Sequence, residues 1–160
     1  MTPFDPFANP PFATRRRLIG AGLGAGAWLI VRPGIAAPDD LATAIATFAS
    51  GAAVRTGRVR LDVSTLVDNG NTVPITVSAE SPMTAANHVQ MIAVFNQKNP
   101  QREVAKFSFS PLSGRASAST RIRLATSQKL VAIAQMSDGS FWSHSVDVIV
   151  TLAACIEGEG

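Results

Sequence analysis

Cysteine occurs once in this 160-residue sequence and histidine twice. A single cysteine, Cys155, excludes an intrachain disulfide and leaves either an intermolecular bond or a working thiol. A metal site needs three or four converging ligands. His88, His144 and one cysteine near the C-terminus do not supply them, so neither a metal nor any other cofactor is expected. Long apolar runs are missing too. Leu18 to Val31 is 14 residues without a charge, diluted by Gly20, Gly22, Gly24 and Gly26. A spanning helix needs about 20 apolar residues, so a permanent membrane anchor is not expected. Repeats, low-complexity tracts and linkers are absent as well, which leaves one domain after the leader.

That leader is residues 1–36. Thr14-Arg15-Arg16-Arg17-Leu18-Ile19 resembles the twin-arginine signature, which marks bacterial export of proteins already folded. The apolar stretch follows, and Gly34-Ile35-Ala36 offers a cleavage site before Ala37. The expected location is therefore the periplasm, with Arg15 and Arg16 as the export signal. Cleavage removes Arg15, Arg16, Arg17, Arg32 and Asp5, leaving ten basic against ten acidic residues in 37–160. The basic pI of the whole chain belongs to the leader. No clustered cationic face remains, so nucleic acid is excluded as a partner.

From residue 39 onward the pattern is first helical, then extended. Asp39 or Asp40 can cap a helix that places Leu41, Ala44, Ile45 and Phe48 on one face, with Gly51 as terminator. That stripe is expected to cover the domain's own sheet. Seven extended runs follow, at 59–63, 73–77, 88–95, 104–109, 119–124, 129–136 and 141–152. Turn signals such as Asp68-Asn69-Gly70-Asn71, Asn99-Pro100 and Ser137-Asp138-Gly139 separate them. Pro74 points to an edge or a bulge. Seven short strands and one short N-terminal helix predict an all-β, immunoglobulin-like antiparallel β-sandwich over 37–152. In the last run Trp142, His144, Val146, Val148, Val150 and Leu152 share one face, and Ser143, Ser145, Asp147 and Thr151 the other. Alternation stops there. Residues 153–160, Ala-Ala-Cys-Ile-Glu-Gly-Glu-Gly, form a C-terminal arm carrying the thiol.

Enzyme chemistry finds little to work with. A Cys–His pair needs hydrogen-bond contact, yet the strand's end lies about 25 Å from His144 at 3.3 Å per residue. His144 also shares the apolar face, where a satisfied core histidine is expected. Ser143, His144 and Ser145 alternate sides of the strand and cannot form a relay. Arg121 and Arg123 share one face opposite Ile122 and Leu124, either as a solvated face or as a contact surface for an anion or a subunit. Cys155 remains, an exposed thiol on a stalk, suited to carrying a substrate covalently between separate enzymes. The chain is then a non-catalytic carrier. The competing reading is a non-covalent periplasmic binding or assembly module whose thiol is incidental.

The chain resembles the SoxY family, the sulfur-carrying subunits of bacterial thiosulfate oxidation. Residues along its whole length carry the likeness: the twin-arginine leader, Gly57-Arg-Val-Arg-Leu-Asp62, Asp68-Asn-Gly-Asn-Thr-Val-Pro74, Ser81-Pro-Met83, Phe95-Asn-Gln-Lys-Asn-Pro100, Thr120-Arg-Ile-Arg-Leu124 and Ser137-Asp-Gly-Ser-Phe-Trp142. The resemblance implies an immunoglobulin-like sandwich, a heterodimer with a SoxZ-like subunit, and sulfur intermediates bound to Cys155. It implies that a haem enzyme joins thiosulfate to that cysteine and that a hydrolase releases sulfate. The arm departs from the usual Gly-Gly-Cys-Gly-Gly. Here Ala153, Ala154, Cys155, Ile156, Glu157 and Gly158 resemble the SoxY-related branch with an AACIE arm. Alanine stiffens a stalk that glycine would leave looser. Glu157 and Glu159 disfavour an anionic adduct, by only about 0.6 kcal/mol for a pair 7 Å apart in water. The run Leu130-Val-Ala-Ile-Ala134 is apolar on both sides, and the helix adds Phe48. That surplus predicts a partner covering one sheet or edge, most simply the SoxZ-like chain.

Overall fold

The computed structural model describes residues 40–152, all within the unit Ala37–Gly160. The chain starts with α1 (Asp40–Phe48). Its acidic first residue suits the positive end of the helix dipole, and Asp40 also pairs with Arg102 at 2.9 Å. The helix stops where Ser50 and Gly51 turn left-handed, at φ 52° and 76°. Gly51 then donates its N–H to the Ala46 carbonyl at 2.9 Å and so occupies a helix-end carbonyl.

Nine strands follow among the described residues: β1 (Val54–Thr56), β2 (Val59–Asp62), β3 (Leu66–Val67), β4 (Val73–Ala79), β5 (Val89–Asn96), β6 (Glu103–Ser108), β7 (Ala116–Ile122), β8 (Gln128–Met136) and β9 (Phe141–Val150). The larger sheet runs β1-β9-β8-β5-β6, with β3 also paired to β9, and the smaller sheet runs β2-β4-β7. Two sheets face each other around one core, so the fold is the expected immunoglobulin-like β-sandwich. Pro74 lies in β4, the middle strand of the smaller sheet. The β2 ladder stops at Asp62 opposite Thr76, so Pro74 has a ladder neighbour only on the β7 side, at Arg121. Its missing N–H therefore costs no ladder bond to β2.

The alternation of β5 and β8 divides the interior in two. Val89, Ile92, Val94, Leu130, Ala132 and Ala134 point between the sheets and meet Val73, Ile75, Val77, Leu61 and Leu124. Ala93, Phe95, Val131 and Ile133 point outward and meet Leu41, Ala49 and Phe141 beneath α1. Phe48 stands edge-on to Phe95 and Phe141, with ring centroids 5.6 and 5.9 Å away. Burying an isoleucine or leucine fully is worth about 1.5–3 kcal/mol, and Ile92, Leu130 and Ile133 are all fully buried.

Four expectations change. The seven extended runs become nine strands, because β1 and β3 are too short to alternate visibly. Strand β7 starts at Ala116 rather than 119, drawn out by pairing with β4 as far as Ala79. Strand β9 ends at Val150 rather than 152. The apolar surplus of β8 is no vacancy for a partner either. The smaller sheet covers one face of it and α1 the other, so the helix does pack on the domain's own sheet and that argument for a subunit falls.

Candidate functional site at the root of the arm

The expected arm would begin beyond Leu152, so what matters first is how firmly the end of β9 is held. At its far end β9 leaves the regular ladder and is taken over by loops on both sides. On one side runs β3, parallel to β9, with Leu66 opposite Ile149 and Val67 opposite Val150. The N–H of Ile149 donates to the Thr65 carbonyl at 2.8 Å, and that of Thr151 to the Val67 carbonyl at 3.0 Å. The Thr151 hydroxyl donates to the Asp68 carbonyl at 3.1 Å. On the other side the Val150 N–H donates to Ser127 Oγ at 2.9 Å. Gly70 donates to the Leu152 carbonyl and its own carbonyl accepts from Leu124, both at 2.8 Å. The turn Asp68–Asn71 is fixed in turn by the Asn69 carboxamide, which accepts the Asn71 N–H at 2.9 Å.

Below this clamp lies a knot of amides. Asn99 donates to the Arg123 carbonyl at 2.8 Å, while its Oδ1 accepts from the Ala125 N–H at 3.0 Å and from Gln128 Nε2 at 2.7 Å. Gln128 Oε1 in turn accepts the Lys98 N–H at 2.8 Å. Fully buried Asn96 donates to the carbonyls of Gln101 and Arg102 and accepts the Asn99 N–H. Among the described residues no buried side-chain polar atom lacks a partner. A satisfied polar network of this kind fixes one arrangement of loops, since any alternative strands a buried amide. It ties the β5–β6 loop to the β7–β8 connection at the end of the sandwich where Leu152 lies. Sequence reading missed Ser127, Thr151 and Gln128 as anchors. Asn99-Pro100 registered only as a stop.

The residues expected to form the carrier arm, Ala153, Ala154, Cys155, Ile156, Glu157 and Gly158, lie outside the described residues, as do Arg15 and Arg16 of the expected export signal. The two histidines are accounted for. His144 Nδ1 accepts the Leu61 N–H at 3.2 Å, joining the two sheets, so that nitrogen carries no proton. The histidine is satisfied, as the strand pattern predicts, but it lies half-buried at the margin of the sandwich rather than in the core. His88 Nδ1 lies 3.1 Å from the Thr84 carbonyl, which can only accept, so there the proton is on Nδ1. The Ser143 hydroxyl turns away to the Arg55 carbonyl. Among the described residues no group of three His, Cys, Asp or Glu is placed to hold a metal ion. No helix among them is long and apolar enough to cross a membrane. Arg121 and Arg123 are exposed opposite buried Ile122 and Leu124, as their alternation requires.

The family model described as sulfur oxidation protein SoxY matches residues 45–155. No curated protein matches the chain. Among solved structures, the sulfur carrier protein SoxY from Chlorobium limicola f thiosulfatophilum superposes with a TM-score of 0.58 at 26% identity, over 70% of this chain and 90% of that one. The superoxide reductase (neelaredoxin) of Ignicoccus hospitalis superposes with a TM-score of 0.54 at 16% identity, over 61% of this chain and 94% of that one. That of Nanoarchaeum equitans gives 0.51 at 14% identity, over 60% and 100%. At those identities the reductases share the sandwich and nothing more.

Proposed function

This chain belongs to the SoxY family of sulfur oxidation proteins, and from that premise we propose that it is an exported carrier holding sulfur intermediates on Cys155. The observation that carries the reading is where the family match ends. It runs to Cys155, the chain's only cysteine, three residues past the last described residue, Leu152. The clamp at Ile149–Leu152 supports it, because a swinging arm works best from a fixed pivot. A thiolate is the reactive form and forms sulfur–sulfur bonds that a hydroxyl cannot. Loading joins Cys155 Sγ to the outer sulfur of thiosulfate, and the two electrons released pass to a haem-containing partner. Hydrolysis then releases sulfate and two protons, leaving a persulfide on Cys155. Both steps are catalysed elsewhere, so the chain itself is not an enzyme.

Export by the twin-arginine route fits a carrier that must reach the periplasm already folded. Replacing both Arg15 and Arg16 by Lys should leave the precursor in the cytoplasm, since the guanidinium pair rather than bare charge is recognised. A SoxZ-like subunit completes the assembly on the strength of the family, and co-purification from the native host should recover it. The decisive test of carriage is the intact mass of the protein taken from its native periplasm during growth on reduced sulfur. Adducts on Cys155 of one or more sulfur atoms, or of thiosulfonate, are expected. A single unmodified mass under every growth condition would end the carrier reading.

A further inference from the structure

The face of β7 set aside as a solvated or anion-binding surface lies beside the arm's root. Arg121 and Arg123 line a shallow depression of about 470 Å³ together with Asn99, Pro100 and Gln101. Both guanidinium groups are exposed, and neither is in an ion pair or side-chain hydrogen bond among the described residues. Two carboxylates near the depression are engaged elsewhere, whereas exposed Asp68, two residues before Gly70, is in no ion pair among the described residues. Glu103 holds Lys106 at 3.0 Å, and Asp40 holds Arg102 at 2.9 Å. Asn99 is locked by the amide knot, so the floor of the depression is fixed. Two unpaired cations on a rigid floor are an anion site in search of its anion.

The chain carries one within reach. Leu152 is joined to Leu124 through Gly70 by two successive hydrogen bonds, which at about 5.5 Å per step puts the root about 11 Å from the residue next to Arg123. An extended chain advances about 3.3–3.6 Å per residue, so Glu157 can lie as far as about 17 Å from Leu152 and Glu159 farther still. The arm has no basic residue beyond Leu152 and two acidic ones.

We propose that the Arg121–Arg123 depression is the resting dock of the chain's own arm, occupied by Glu157 and Glu159. The site thereby holds Cys155 against the body until a partner draws the arm away. An anionic sulfur adduct would strengthen the same attraction, a consequence that rests on the carrier reading, whereas the docking itself does not. Exposed ion pairs are individually weak, so the dock biases the arm about threefold rather than locking it. Attraction between solvent-exposed charges also fades with salt, with a screening length of about 10 Å at 0.1 M and 3 Å at 1 M.

The test uses the full chain with a neutral nitroxide on Cys155, its only cysteine, read by electron paramagnetic resonance. At low salt a slow component is expected, shrinking about threefold at 1 M salt. It should shrink equally in Arg121→Gln/Arg123→Gln and in Glu157→Gln/Glu159→Gln. Exchanging the charges on both sides, Arg121→Glu/Arg123→Glu with Glu157→Lys/Glu159→Lys, should restore it. Because the arginine side chains hold nothing else in place, an unchanged melting temperature shows that the variants fold. One spectrum common to all variants and salts would overturn the dock. The mass test of carriage is independent: adducts without salt-dependent docking sink this proposal alone, and docking without adducts sinks the carrier reading alone.

Discussion

The two ends of β9 are held in opposite ways. Near Phe141 the strand is gripped by apolar contact, with Phe141 buried beneath α1 against Phe48. Beside it Trp142 lies under the guanidinium groups of Arg55 and Arg58, 5.6 and 4.9 Å from its ring. Near Leu152 the outer face is bare. Leu66, Ile149 and Leu152 are 57, 59 and 67% exposed, and the grip is made of hydrogen bonds to loops. Apolar packing is non-directional and favours whatever shape excludes water; hydrogen bonds are directional and fix a strand's exit. The Phe141 end is built for stability and the Leu152 end for aim.

The two ends should therefore fail differently. Cys155→Ser, three residues past Leu152, is expected to abolish every thiol adduct on protein taken from its native host, the largest effect of all. It should move stability by no more than about 0.5 kcal/mol, since no disulfide is broken. A large drop in melting temperature would mean that the thiol is packed. Phe48→Ala strikes the packed end. Large-to-small changes at buried aromatics cost about 3–5 kcal/mol, and Phe48, half-buried, falls at about 3. Denaturant unfolding should show that loss while adducts on Cys155 persist in the protein that remains folded. If adducts vanish with it, the two ends are not separable.

Asn99→Ala tests the knot under the arm. It leaves the amide of buried Gln128 without an acceptor, and an orphaned buried donor costs about 1–3 kcal/mol. Hydrogen exchange at Ala125 and Lys98 should accelerate more than at the α1 end, and uniform acceleration would contradict a local role.

The smallest effect belongs to Asp138, in the β8–β9 turn. The Ser140 hydroxyl, then the Ser140 N–H, hold its carboxyl below the ordinary carboxylate value, with Arg58 adding to the effect. A lowered folded-state value stabilises the protein above the ordinary value and is lost as pH falls through the folded one. Ser140→Ala should thus raise the carboxyl's titration midpoint toward the ordinary value and flatten the acid limb of the stability curve. Carboxyl NMR titration would read it, and an unmoved midpoint would assign the shift to another group.

How much of this was legible in the sequence follows the range of each interaction. The helix face at Leu41, Ala44, Ile45 and Phe48 and the inward face of β9 are local periodicities; the first is found as written, and the second holds from Trp142 to Val150 but not at exposed Leu152. Alternation put His144 on the inward face, where its ring does find a partner in Leu61, but it overstated the burial, since the ring is only half-buried. Strands β1 and β3 were not legible. They have three and two residues, too few for a period to form, and both exist only because β9, some 80 residues later, offers a parallel edge. The double-sided β8 looked like an invitation to a partner because sequence carries no record of which face α1 would take. Asn99 and Gln128 read as turn and strand residues. Their role depends on the chain bringing two connections to one end. The expectation of an arm rests on the opposite kind of signal, the end of all pattern around a lone thiol.

The clamp on β9 also has a mechanical meaning. Hydrogen bonds in a ladder lie across the strand, so a pull on Leu152 along the axis of β9 loads the bonds to β8 and to β3 together, in shear. Peeling the same strand sideways would break them one at a time. Any pull along that axis therefore strains the whole sheet at once, and the sandwich resists as a unit.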